Sequence, residues 1–138
     1  MSSKFLLRLA AICMLLHAIG HSFGALGWKR SPNAVIARVI DAMQTNHFYF
    51  MGRSVSLANF YEGYGIIMIF VLLFISLLLW LLSNEVAHPL TAKLLIPLTV
   101  FLIIMAIDEY IYFFPFAAMF TLLAGLCSLA ARIRHPSL

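Results

Sequence analysis

The 138-residue chain is 64% hydrophobic and only 10% charged, with a mean hydropathy of +1.02. A water-soluble domain carries about 25% charged and under about 50% apolar residues, so this composition excludes a soluble fold, and the length leaves room for a single domain, residues 1–138. The net charge of +4 does not point to nucleic acid: the basic residues fall singly or in pairs between apolar runs, as membrane-end anchors and topology signals do.

The first apolar run predicts a transmembrane helix over about residues 5–27. Lys4 and Arg8 ahead of that run imitate a signal peptide. Two histidines within the run and its continuation to Trp28 predict a retained signal anchor instead. Ala10, Ala11 and Ile12 ahead of Cys13 fit a lipoprotein cleavage site poorly. Ser31 followed by Pro32 is a helix-start signal, and Val35, Ile36, Val39, Ile40 and Met43 then share one face, with Arg38, Asp41 and Gln44 elsewhere. This pattern predicts a short amphipathic helix over about 32–44, lying in the membrane interface. An aromatic stretch, His47 to Met51, precedes Gly52, and the whole connection from Trp28 to Arg53 is expected to cap one mouth of the bundle.

A second span is predicted over about 54–83, its apolar body starting at Tyr64. The loop from Asn84 to Ala92 carries Pro89 as a stop signal. The third span covers about 94–113 and the fourth about 116–131, short against the roughly 20 residues that a crossing needs. Pro115 is expected to open the fourth, since proline is tolerated in the first helical turn. The fold class is therefore an all-α polytopic membrane protein, with four transmembrane helices and one interfacial helix. Four crossings put both ends on one side, with Lys4, Arg8, Lys93, Arg132 and Arg134; the other side has Lys29, Arg30, Arg38 and Arg53. The positive-inside rule then tilts slightly towards cytoplasmic termini.

His17, His21, Glu62, Asp108 and Glu109 lie in or at the edges of these spans. Charge in hydrocarbon is costly, so each is a functional-site hypothesis. At 1.5 Å per residue, His21 lies roughly 24 Å along its helix from Phe5 and Asp108 roughly 21 Å from Leu94, both in the half near the cap. Glu62 falls just outside the apolar body of the second span, at that same mouth.

His17 and His21 are one turn apart on one face. They are potential metal ligands with Glu62 or Asp108, but helix packing through Gly20 and Gly24, with the imidazoles hydrogen-bonded nearby, is the stronger reading, and no metal is favoured. Glu62 among Phe60, Tyr61 and Tyr64 is either a proton donor or an interfacial carboxylate paired with Arg53 or Lys29. Asp108 and Glu109 point about 100° apart. Asp108, after Ile103, Ile104, Met105, Ala106 and Ile107, is expected to face inward; its alternative is a salt bridge with Arg38 or Arg53. Tyr61, Tyr64, Tyr110 and many phenylalanines map to the cap side, as an interfacial belt or as walls of an apolar pocket with a few convergent polar groups. Cys13 and Cys127 read as small hydrophobes. No phosphate loop, nucleophile elbow, CxxC or HExxH is present.

The runs LLHAIGHSFGALGW, VIDAM and FYFMGRSVSLANFYEGYG resemble a group of small four-span bacterial membrane proteins, which share a GH in the first span, an AM after the interfacial helix, and MG-x-S before an aromatic-rich G-x-G. The resemblance covers roughly the first half of the chain. It implies the four-span fold and a bacterial inner-membrane location, and carries no activity with it. A looser likeness, in chemistry only, is to sterol-isomerase-type and membrane terpene-cyclase proteins, which use buried carboxylates to protonate lipophilic substrates; their motifs are not reproduced here.

The sequence thus predicts a pocket for a lipophilic molecule of lipid, isoprenoid or quinone type. His21, Glu62 and Asp108 are its candidate acid–base residues, with His17, Arg53, Tyr61, Tyr64 and Tyr110 as ligand contacts; no cofactor is named. The alternatives are a non-catalytic subunit docking a second copy or a partner membrane protein through Gly/Ala faces, and a His–His–carboxylate metal site.

Overall fold

The computed structural model describes Met1–Arg134. Five helices and one hairpin follow in order: α1 Ser3–Gly27, α2 Ala34–Thr45, β1 His47–Phe50, β2 Arg53–Ser56, α3 Leu57–Asn84, α4 Pro89–Tyr112 and α5 Pro115–Ile133. α1, α3, α4 and α5 are each long and apolar enough to cross a membrane.

Local chemistry explains the boundaries. Ser2 caps α1 by accepting from Phe5 N–H. Asn33, rather than Ser31, caps α2, accepting from Val35 and Ile36 N–H. Pro89 opens α4 instead of stopping a helix, since the first turn needs no proline N–H, and the His88 side chain accepts from Leu90 N–H. Pro115 opens α5.

The stretch before the third helix corrects the expected start near Ser54. His47–Phe50 and Arg53–Ser56 pair antiparallel, Phe50 opposite Arg53, around a two-residue turn with φ of 46° at Met51 and 82° at Gly52. Positive φ at both central residues is the type I′ pattern that matches strand twist. Ser56 then begins α3 through a reciprocal capping box with Asn59.

The packing is inside-out relative to a soluble protein. Fully buried positions are rich in small residues, among them Ala10, Ala11, Ala18, Ala124, Ala131, Thr121 and Ser128, while Phe23, Phe70, Phe74 and Ile104 lie largely exposed. Small residues let helix backbones approach where apolar burial gives no advantage. Gly65 is such a point, since a Cβ there would stand 3.1 Å from Ala25 Cβ; at Gly125 it would stand 2.9 Å from Ile103 Cδ1 and 3.3 Å from Leu102 Cβ. The expected packing glycines, Gly20 and Gly24, have open space instead. The closest helix pairs are α1–α3, α1–α5 and α4–α5, and Ser76 Oγ donates across the first of these to Ala11 O at 2.8 Å.

α2 and the hairpin lean on α3. Phe48 stacks on Phe60 and Phe50 meets it edge-on. Ile40 is buried there, while Val35, Ile36 and Val39 stay exposed. The amphipathic helix is present, and no residue of the 28–53 connection lines the cavity described below.

Candidate functional site

A cavity of about 270 Å³ opens between α1, α4 and α5, at the end of the bundle that carries the link between α4 and α5. Leu16, His17, Gly20 and His21 come from α1, Met68 from α3, and Met105, Asp108 and Glu109 from α4. Phe113, Phe114, Phe116, Ala117 and Phe120 complete it. Its wall is thus apolar and aromatic, with four ionisable side chains.

The i, i+4 spacing of His17 and His21 sets both rings on the cavity face of α1, edge to face with centroids 6.5 Å apart. His17 is buried. Its Nδ1 lies 2.9 Å from Thr121 Oγ1 on α5 and 3.7 Å from Glu109 Oε1 on α4. His21 Nε2 lies 3.1 Å from the Gly65 carbonyl on α3. A carbonyl only accepts, so that nitrogen carries the hydrogen and donates.

Both adjacent carboxylates line the cavity, but the buried one is Glu109 and not the expected Asp108. Glu109 is 6% exposed and its Oε2 is buried without a hydrogen-bond partner among the described residues. Asp108 lines the cavity but is exposed. The reason is helix rotation: Leu95, Thr99, Leu102, Ala106 and Glu109 form one buried seam of α4, at spacings of three and four. Phe101 and Ile104, a turn or two ahead of Asp108, lie on the exposed side. A seam containing small residues was the available signal for Glu109. The same signal marks Thr121, which falls among Ala117, Ala118, Ala124 and Gly125 on the buried face of α5.

Glu62 is not brought to the cavity. Both its carboxylate oxygens accept from Lys29 Nζ at 2.9 Å in a half-exposed pair, the interfacial alternative weighed from the sequence. Arg53 is exposed on β2. Tyr61 packs on Trp28 with centroids 4.8 Å apart, Tyr64 is exposed, and Tyr110 borders a separate, shallow depression beside Pro115 and Met119. None of these five lines the cavity. Among the described residues no group of three His, Cys, Asp or Glu side chains is placed to hold a metal ion, so the histidine pair gains no third ligand from Glu62 or Asp108.

The arrangement can hold a proton at the boundary of an apolar cavity. A buried carboxyl and a buried imidazole face one another, and a hydroxyl from a third helix positions the imidazole. Comparison of the chain with known protein families, curated proteins and solved structures gives no match.

Proposed function

We propose that the chain is an integral membrane protein that binds a lipophilic small molecule, of lipid, isoprenoid or quinone type, in the cavity between α1, α4 and α5. The outward-facing apolar side chains of the four long helices support the membrane setting, since a soluble monomer rarely exposes apolar patches beyond a few hundred Å². The slight excess of basic residues on the side that holds the two ends and Lys93 supports cytoplasmic termini in a bacterial inner membrane.

One observation carries the ligand reading: Glu109 is buried on the wall of an apolar cavity with one carboxylate oxygen unpartnered among the described residues. An unsatisfied buried polar atom costs about 1–3 kcal/mol, a cost that a ligand group can remove. Acid–base turnover of isomerase or cyclase type extends this reading. The Glu109 carboxylate would take a proton from the substrate and return it at another carbon, with His17 beside it.

Native mass spectrometry of the detergent-purified chain tests the reading. The expected result is a retained small-molecule mass in the wild type that is lost in Glu109→Gln. A chain free of any such mass, with Glu109→Gln indistinguishable from it, would overturn it.

A second reading rests on Gly24 and Gly27, where a Cβ would meet nothing within 4 Å. Among the described residues nothing packs against these two positions of α1, which leaves them available to a helix of another membrane protein. A stoichiometric partner that co-purifies with the wild type and is lost in Gly24→Leu would favour it.

A further inference from the structure

Resting on the reading of the cavity as a ligand site, we infer that its ligand is a monovalent organic cation with an apolar body, such as a lipophilic amine or quaternary ammonium. The polar side chains that line the cavity are His17, His21, Asp108 and Glu109; no lysine or arginine is among the lining residues. Two carboxylates therefore face two imidazoles, and a single proton on His17 still leaves the site net negative. A buried carboxylate is tolerated only when paired or hydrogen-bonded; Glu109 faces His17 through Oε1 at 3.7 Å, while its Oε2 has no partner among the described residues.

The missing positive charge is not that of a small metal ion. A hard cation takes six or more oxygen ligands, and no group of three potential metal ligands stands together among the described residues. The walls fit a larger, weakly hydrated cation. Phe113, Phe114, Phe116 and Phe120 border the cavity, Phe116 and Phe120 edge to face at 5.1 Å, and aromatic faces attract organic cations through the ring quadrupole. Anions and carbonyl-rich heads gain little here. His21 Nε2–H is already given to Gly65, and a phosphate or carboxylate would meet Asp108 and Glu109 as like charges.

The decisive experiment uses two probes of one shape, phenyltrimethylammonium and tert-butylbenzene, which differ only in the charged nitrogen. Saturable binding to the full chain in lipid nanodiscs is measured by equilibrium dialysis against empty nanodiscs. The cation is expected to bind at least about tenfold more tightly than the neutral probe, a preference of the size that desolvated cation–π and carboxylate contacts give. Glu109→Gln is expected to remove most of that preference, and Asp108→Asn part of it. Equal saturable binding of both probes, or tighter binding of the neutral one, would overturn the cation inference and leave the lipophilic cavity standing. Saturable binding of neither would overturn both. The wild-type comparison decides even where Glu109→Gln does not fold.

Discussion

Nδ1 of His17 lies 3.7 Å from Oε1 of Glu109, an acid and a base from helices 92 positions apart in sequence brought face to face at the wall of an apolar cavity. Thr121 Oγ1, 2.9 Å from the same nitrogen, fixes the ring from a third helix. The relationship separates the residues expected to matter for a ligand from those that only resemble them.

Glu109→Gln keeps the shape and removes the charge, so it should abolish ligand retention and any turnover. Asp108→Asn, at the exposed side of the cavity, should weaken retention only partly. Glu62→Gln should leave it unchanged, because Glu62 is engaged with Lys29. Native mass spectrometry of the three variants gives the ranking; a Glu62→Gln variant that loses the ligand would contradict it.

Thr121→Val replaces a fully buried hydroxyl with a methyl group and leaves His17 Nδ1 without its nearest partner. Orphaning a buried polar group costs about 1–3 kcal/mol. The variant should unfold more readily in a detergent titration, and Thr121→Ser should restore most of the loss by retaining the hydroxyl. Equal stability of the valine and serine variants would show that the bond contributes nothing.

Gly65→Ala would put a methyl group 3.1 Å from Ala25 Cβ, where neither helix can yield without shifting backbone. Overpacking of this kind costs about 1–3 kcal/mol and would also disturb the carbonyl that receives the His21 N–H. Gly24→Ala meets open space and should be neutral or stabilising, by up to about 1 kcal/mol from helix propensity. Thermal unfolding in one detergent compares the pair, and the opposite order would refute the proposed α1–α3 contact.

The Lys29–Glu62 bridge, near 40% exposed on both sides, should be worth under about 1 kcal/mol. A double-mutant cycle with Lys29→Met and Glu62→Gln measures the coupling. A value of several kcal/mol would mean that the pair is buried by lipid or by a partner.

Gly52 has a φ of 82°, a region that β-branched residues avoid. Gly52→Val should open the hairpin and speed proteolysis at 50–53, at a cost of about 1–2 kcal/mol. Met51→Asn, placing the preferred Asn-Gly pair in the turn, should protect it. Cleavage rates unchanged in both variants would argue against the turn.

Several features were legible before the tertiary structure because they are local. Apolar runs of helical length gave the long helices near their observed positions, Pro115 was read correctly as the opening of α5, and the periodicity that predicted a helix over about 32–44 matches α2 at Ala34–Thr45. The paired histidines and the Glu62–Lys29 alternative were also visible, since spacing and proximity to a helix end are properties of short segments. The hairpin was missed because its turn is Met-Gly, not one of the usual Asn-Gly, Asp-Gly or Gly-Gly pairs.

What the chain by itself determined is therefore how much of it is helical and apolar, and roughly how far along its helix each polar group lies, because length and hydropathy add up residue by residue. The tertiary structure decided which way each helix is turned. One residue is a 100° step, enough to bury Glu109 and leave Asp108 exposed although both line the cavity, and α4 and α5 close on each other at Gly125, Leu102 and Ile103. It also decided that α2 and the hairpin rest on α3 through Ile40, Phe48 and Phe50, since which neighbour covers an aromatic face depends on residues distant in the chain.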